Sequence, residues 1–478
     1  MTEAVTAYLT VPLALILSVP LTFVLFSRFP PYRAAFLALL VAALVLPVGY
    51  GWELKGVTTL NKATIPLLSA FAACMYTAPT EFRHLRLRGA TLLLVLAVAI
   101  GPLLTAMTNG DTFSVGGTPL PALSIWDGVA IFRWLAFSLL LPFLLGRMLV
   151  REVPQIENLL RPLVLAFLVY SVAMLFEIRM SPQLHLLVYG YFPHSFAQQA
   201  RSGGFRPAVF VGHGLPLAII TSFAVLASVM LWRRGKRVRG LPPPVVTFYL
   251  GAVVILCKTF SAVIYEGVGG AVMFFASAKI QARIAVVIAC IVLAYPLLRS
   301  FDLFPTTMLT SLSDSASEER SESLAFRFTN EDLLLAHARE RPYFGWGSYG
   351  RNRVFDEEGV DVSVTDGLWI ILLGEIGTVG FLSVFGMMLL PVFQCGRALR
   401  NVRSESDRRL LASLSLLVAL NWADSLPNAL SGGVLMVFVT GAFSGVVTTY
   451  QRPRPMPQQR KKANVPAAGG FGSLEPLR

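Results

Sequence analysis

The sequence predicts an all-α fold: a polytopic transmembrane helix bundle of about 12–13 spans, with a large external loop containing an amphipathic helix. Three observations predict it. Hydrophobic residues make up 55% of the 478 residues and charged residues only 14%, and mean hydropathy is +0.65. A soluble chain of this length cannot hide that much apolar surface in one or two cores. The apolar residues also come in long runs, such as 7–27, 90–107, 207–232 and 429–450, each able to cross a bilayer. Finally, lysine and arginine gather in alternate short loops: Arg28/Arg33, Arg83/Arg86/Arg88, Arg147/Arg151/Arg161, Arg233 to Arg239, Lys279/Arg283, Arg397 to Arg409, and Arg452 to Lys462. That alternation is the positive-inside pattern.

Placing those loops in the cytoplasm threads the chain with its N-terminus outside and its C-terminus inside. The expected spans are 6–27, 34–50, 63–79, 90–107, 127–147, 162–179, 207–231, 244–258, 260–278, 283–299, 363–393, 410–424 and 429–450. Met1, Thr2 and Glu3 give no basic leader, so the first run is expected to remain as a helix. Lys258 to Ser261 must then form a tight external turn between two spans. The chain divides into N-terminal transmembrane helices (1–158), central helices (159–299) with an external loop at 180–206, and a large external loop at 300–362. C-terminal helices (363–450) follow, then a tail at 451–478 rich in Pro, Gly and Gln that reads as disordered and cytoplasmic. No internal repeat is visible, which counts against inverted-repeat transporter folds.

The net charge of +13 does not point to nucleic acid, because the basic residues sit in turns where they set topology and meet anionic lipid heads. Cys74, Cys257, Cys290 and Cys395 lie in or beside apolar runs without paired spacing. They read as small core residues, and neither a disulfide framework nor a metal site is indicated. No phosphate-binding glycine loop, zinc spacing or Ser-His-Asp order appears, and no cofactor is expected.

Within the large loop, 323–341 reads as an amphipathic helix over the external mouth of the bundle. Leu324, Phe328, Leu334, Leu335 and Ala338 share a face, leaving Arg327, Glu331 and Arg339 elsewhere. Thr329 could cap a shorter version beginning at Asn330, and Pro342 with the glycines of RPYFGWGSYG ends it.

Three external clusters carry the chemistry-bearing residues. The first is Arg201 to Pro207 (RSGGFRP), leading to His213 between Gly212 and Gly214. The second is Lys258 to Ser261 (KTFS), followed by Tyr265 and Glu266. The third holds Arg327, His337 and Arg339, the glycine turn 345–350, and Thr365-Asp366-Gly367 where the chain re-enters the membrane. Arginine presents a fixed fork of donors to phosphate oxygens, and lysine a compact charge. Ionisable groups within spans are costly, which makes Lys258, Glu266 and Asp424 functional candidates. Each has a plainer alternative. Arg201 and Arg206 can bind lipid headgroups, Lys258 can anchor at the interface, and His213 can bond a backbone group. His337 can occupy a solvated helix face, Asp366 can cap the helix after it, and Asp424 and Glu375 can satisfy packing or capping.

These residues resemble the O-antigen ligase and polymerase superfamily of bacterial surface polysaccharide assembly. Arg201 to Leu217 is similar to that family's arginine-and-glycine segment entering a span. Arg327, followed fourteen residues later by RPYFGWGSYG, resembles its loop arginine, helix and Pro-x-x-Gly-x-Gly turn. Glu375, Gly377 and Gly380 match its E-x-G-x-x-G stretch. The sequence departs from the family at Thr365-Asp366, where His-Asn is frequent, and at Lys258 to Ser261, where Ser-Arg-Gly stands. The resemblance covers about 160 to 385.

The resemblance implies a membrane-embedded C-type glycosyltransferase of the bacterial inner membrane, independent of nucleotide sugars and of metal. Its donor would be an undecaprenyl-diphosphate-linked glycan at the outer face, with other polysaccharide assembly proteins as partners beside the bilayer itself. Arg201 and Arg327 would grip the diphosphate with Lys258 or Arg206 assisting. Arg339, Tyr265 and Glu266 would line the substrate site. His213, His337 and Asp366 are the candidates for handling the acceptor proton. A polymerase is favoured over a ligase, and the competing class is a transporter or flippase of a lipid-linked or small anionic substrate.

Overall fold

In this computed structural model, residues 2–53, 56, 58–115, 118–201, 203–314, 318–429 and 432–451 are described. Helices answer every expected span. They begin with α1 (Thr2–Arg28), α2 (Pro31–Val45), α3 (Thr64–Thr77) and α4 (Gly89–Thr108). The next crossing joins α5 (Ile125–Leu135) to α6 (Leu141–Leu149) through a π turn at Ala136–Leu140, and α7 (Val153–Met180) returns. A short α8 (Leu184–Tyr189) leads to α9 (Gly214–Arg233) and α10 (Pro243–Leu256). Then α11 (Phe260–Ile264) and α12 (Gly270–Phe275) flank a second π turn, Tyr265–Gly269, and α13 (Ala278–Ser300) follows. The large loop carries α14 (Thr306–Asp314) and α15 (Glu318–Ala338). The chain ends in α16 (Leu368–Asn401), α17 (Glu405–Asp424) and α18 (Gly433–Tyr450). Strands among the described residues are limited to three short hairpins, one of which pairs β5 (Ala200–Arg201) with β6 (Gly204–Phe205).

Among the described residues eight helical crossings are long and apolar enough to span a membrane, and α2, α3, α10 and α11–α12 are shorter apolar helices. Their outward faces carry exposed Leu13, Val169, Phe248 and Val287, side chains that water would not tolerate in such numbers. Large fully buried residues such as Phe143, Trp369 and Trp422 fill the interior. The chain is therefore a multi-pass membrane protein in a lipid bilayer. Residues 452–478, read as a disordered tail, lie outside the described residues.

Polar contacts sort the turns into two ends. At one end Arg234 bonds Glu157 at 2.7 Å and Asp407 at 2.8 Å, tying the starts of α7 and α17 to the end of α9. Arg151 meets Glu81 at 3.2 Å in the same layer. We call this the basic end. At the other, the loop end, Lys62 donates to the carbonyls of Ala43 and Phe210, and Tyr189 to that of Val45.

Helix α16 is broken at Gly377, whose φ of 66° and ψ of −168° leave the helical region. The break frees backbone groups, and the glycine turn of the large loop takes them up. Trp346 N–H donates to the Gly374 carbonyl at 2.8 Å and Gly347 N–H to that of Glu375 at 2.9 Å. In return Thr378 N–H donates to the Pro342 carbonyl at 2.8 Å and Val379 N–H to that of Tyr343 at 3.2 Å. The hydroxyl of Thr105 and the amide of Asn109, both at the end of α4, cap the carbonyls of Phe344 and Gly345. The two glycine motifs read separately in the sequence are thus one splice.

The loop helix differs from its expected form. It runs from Glu318 to Ala338 and not 323–341. Thr329 is no cap, because its hydroxyl donates to the Ala325 carbonyl one turn back. Leu334, Leu335 and Ala338 are buried as expected, but Asn330 and Glu331 share their face. The inward stripe therefore begins polar and ends apolar. The 410–424 span begins earlier, at Glu405, and the 207–231 span becomes helical only at Gly214.

A Cβ at position 377 would press on the Tyr343 carbonyl and would sit at positive φ. Gly377→Val is expected to lower the protein's melting temperature and expose 342–350 to protease, at a cost of about 1–3 kcal/mol or more. Gly396→Ala, where a Cβ meets open space, should leave both unchanged.

Candidate functional site

The loop end gathers most of the residues singled out in the sequence. A buried carboxylate organises the first cluster. Glu177, at the end of α7, accepts from the N–H groups of Leu184, Ala208 and Val209 at 2.7–2.9 Å. That grip folds 207–213 into the irregular entry to α9. His213 is the cap of α9, its Nδ1 accepting from Leu215 N–H at 3.1 Å, with His194 ring-to-edge beside it. Gln199 Oε1 takes the Gly214 N–H, and its carbonyl takes the Arg206 N–H. Arg206 is buried and directs Nη2 to the Lys258 carbonyl at 3.4 Å. Lys258 has left-handed backbone (φ 52°) in the tight turn between α10 and α11, and its Nζ lies over Gly204 of the β5–β6 hairpin. Arg201 ends β5 of that hairpin, but its side chain lies outside the described residues.

Further along the chain from this turn, other contacts bring α17 and α16 into play. Tyr265, in the π turn, donates its hydroxyl to Asp424 Oδ1 at 3.3 Å. Asn428 donates to the same oxygen at 3.0 Å. The Leu368 N–H, opening α16, donates to the carbonyls of Ser425 and Asn428. Two residues before it stands Asp366, and its Oδ2 lies 3.5 Å from Nε of Arg327 on α15. Contacts therefore pair Arg206 with Lys258, Tyr265 with Asp424, and Arg327 with Asp366, and the chain itself connects one pair to the next. Arg327 and Asp366 are partly exposed, at 29% and 43% of their side chains.

Glu266 stands apart from these pairs. It faces Gly251 of α10, and its Oε2 is buried with no hydrogen-bond partner among the described residues. His337 lies ten residues beyond Arg327, roughly 15 Å along the helix. There it stacks on Trp346 with ring centroids 4.4 Å apart, and its Nε2 donates to the Arg351 carbonyl. Arg339 donates to the Ser300 carbonyl at 2.8 Å, binding the loop helix to the end of α13. Among the described residues no group of three or more His, Cys, Asp or Glu is placed to hold a metal.

Two anchors that the sequence did not disclose hold the loop helix in place. Glu331 Oε2 accepts from Tyr295 at 2.8 Å and meets Arg299 at 3.3 Å, while its Oε1 accepts from Trp369. Arg299 also bonds Asp332 at 2.7 Å. The only local signals were Tyr295 and Arg299 four apart on one helix, facing adjacent acids on another. The second anchor is Arg351, 1% exposed, bonded to the carbonyls of Trp346, Asp111 and Pro121. Arg341 clamps Asp111 and Asn109 beside it. Arginine's hydrogen bonds to Asp111 hold that carboxyl below its ordinary range, Arg341 being the main cause.

No protein-family model matches the chain, and no curated protein is significantly similar to it.

Burial raises the Glu331 carboxyl above its ordinary 4.5, outweighing the bonds from Tyr295 and Trp369 and the nearby arginine. Between 4.5 and that raised value the folded loop keeps a proton that the opened loop releases. Loop stability should therefore rise as pH falls through this window. Hydrogen exchange over 325–338, corrected for its intrinsic pH dependence, should show stronger protection at pH 5 than at pH 8. Glu331→Gln should flatten that difference.

Proposed function

We propose that the chain is a glycosyltransferase acting on a lipid-diphosphate-linked glycan at the outer face of the plasma membrane. The observation that carries the reading is the partly exposed Arg327–Asp366 pair, with Arg206 and Lys258 in contact elsewhere at the same end of the bundle. It sets cations along the rim of an apolar bundle, where an anionic head and a greasy tail would meet. The family resemblance supplies the donor, an undecaprenyl-diphosphate-linked glycan, and favours a polymerase over a ligase. In this reading the loop end is periplasmic and the basic end cytoplasmic, as the positive-inside rule orients it. The protein would reside in a bacterial inner membrane.

An acceptor hydroxyl attacks the anomeric carbon, the bond to the diphosphate oxygen breaks, and the lipid diphosphate leaves. The energetic demand is charge on the leaving oxygens, and arginine forks meet it with charge-assisted hydrogen bonds. Arg327 starts out paired with Asp366. When diphosphate oxygens take over the guanidinium, Asp366 is released beside the reacting centre and accepts the hydroxyl proton. Arg206 and Lys258, in contact at the same end of the bundle, help to hold the donor. His213 keeps Nδ1 occupied by its own helix.

A second reading draws on Glu266, whose carboxylate oxygen is buried inside a span without a hydrogen-bond partner among the described residues. Intramembrane carboxylates mark ion-coupled transport, so a transporter of lipid-linked or small anionic substrates stands as the alternative.

Purified protein in nanodiscs, given a synthetic undecaprenyl-diphosphate oligosaccharide without nucleotide, should release undecaprenyl diphosphate and build a glycan ladder. Gel and mass spectrometry follow both products. Arg327→Ala should slow turnover by about 10²-fold or more, and Arg327→Lys should recover only part of it. A single transfer to an added acceptor would make the enzyme a ligase. Intact donor with every acceptor, alongside substrate crossing the bilayer, would instead favour the transporter.

A further inference from the structure

The basic end holds a cavity that the reading above does not use. It has a volume of about 580 Å³ and opens between the turn before α4, the end of α6, the start of α7, and the ends of α16 and α18. Arg86, Arg88, Arg147 and Arg151 line it together with His84, against a single lining carboxylate, Glu152. The charge that matters most is Arg147, because it is buried at 6% exposure.

Close helix packing puts it there. Gly441 and Gly445 of α18 lie so near α6 that a Cβ at either would overlap backbone, at Phe143 for the first and at Arg147 and Val150 for the second. This is the small-xxx-small approach common between membrane helices. It drives the Arg147 side chain against Ser444, whose hydroxyl and carbonyl both take Nη1. No carboxylate pairs with Arg147 among the described residues. A topology-setting arginine would extend into the headgroups, whereas this one is held inside and turned to a cavity. Around it Arg86 and Arg88 are exposed and likewise make no ion pair among the described residues. Arg151 is partly neutralised by Glu81, but its Nε is buried without a hydrogen-bond partner.

The hydroxyls of Thr448 and Thr449 donate back to Ser444 and Gly445 within α18. Guanidinium groups are then the cavity's charged donors, beside the amides of Gln155, Gln394 and Gln451. A concave wall of guanidinium groups, of which only Arg151 has a carboxylate partner among the described residues, focuses positive potential on a compact, multiply charged anion.

We propose that this cavity is a binding site for a phosphate group, with Arg147 at its base and Arg86 and Arg88 closing over it. It lies at the opposite end of the bundle from the Arg327–Asp366 pair and does not depend on the glycosyltransferase reading. The phosphate belongs to an anionic lipid headgroup or to a soluble phosphate compound.

The test uses the full chain in a neutral maltoside detergent, titrated separately with dioctanoyl phosphatidic acid and with inorganic phosphate. Native mass spectrometry and calorimetry report binding. Saturable binding is expected, weakened about tenfold or more by the double variant Arg86→Gln with Arg88→Gln. These exposed positions leave the bundle intact. Arg237→Gln with Arg239→Gln removes equal charge from another basic turn and should change affinity by less than about twofold. Binding of phosphatidic acid alone supports a lipid headgroup site, and comparable binding of inorganic phosphate supports a soluble ligand. Equal weakening by both double variants, or no saturable binding of either probe, overturns the proposal.

Discussion

A helix broken inside a membrane protein leaves peptide groups that neither lipid nor water can satisfy. In this chain that constraint sits at Gly377. Lost intrahelical bonds at such a break leave each buried group costing a few kcal/mol. The turn 342–347 returns four of them, two in each direction. Because the turn must reach the break, the large loop cannot float free of the bundle. Its helix α15 is drawn down along α16, and that placement brings Arg327 to Asp366 at the point where α16 begins. The candidate site is in this sense a consequence of backbone accounting, made before any side chain is considered.

The ion pairs around the site fall into two energetic kinds. Arg299 is 3% exposed and Arg351 1%, and both sit among several acceptors. Removing one partner from a buried pair such as Arg299–Glu331 costs about 3–5 kcal/mol, because the other charge stays behind unpaired. The Arg327–Asp366 pair is partly open to solvent, and pairs in that setting are worth about 0–1 kcal/mol. A phosphate-bearing ligand could exchange for Asp366 at little cost, while the anchors would hold. Fixed pairs frame the site, and an exchangeable pair occupies it.

The spans were legible because a bilayer demands long apolar runs, and the turn at Lys258 followed from the room left between two of them. The phase of α15 was not legible. Glu331 reads as an outward residue within its own helix, and it becomes an inward one only because Arg299, Tyr295 and Trp369 wait on other elements. Thr329 had the chemistry of a cap, but the helix had already begun eleven residues earlier. The glycines of 342–347 and 374–380 each signalled a special backbone, yet nothing local says that one turn fills the other's break. Arg147 looked like one more member of the positive-inside pattern, and only the close approach of α6 and α18 separates it from the rest. In each case the missing information was a partner distant in sequence.

The same cross-links bear on whether the protein turns over substrate at one face or carries it across. Alternating access requires the loop end to open and close, with one group of helices moving against another. Here α4 is bonded to the 341–351 segment through Asn109, α16 to the same segment through its broken backbone, and α13 to α15 through Arg299. Rocking any of these helices against the loop would expose buried charges and peptide groups together. A cross-linked rim with one partly exposed ion pair is what the proposed chemistry at a fixed face would use. Glu266 stands outside this frame, in a π turn facing α10, and any motion that uses it would be local to that pair of helices rather than an opening of the rim.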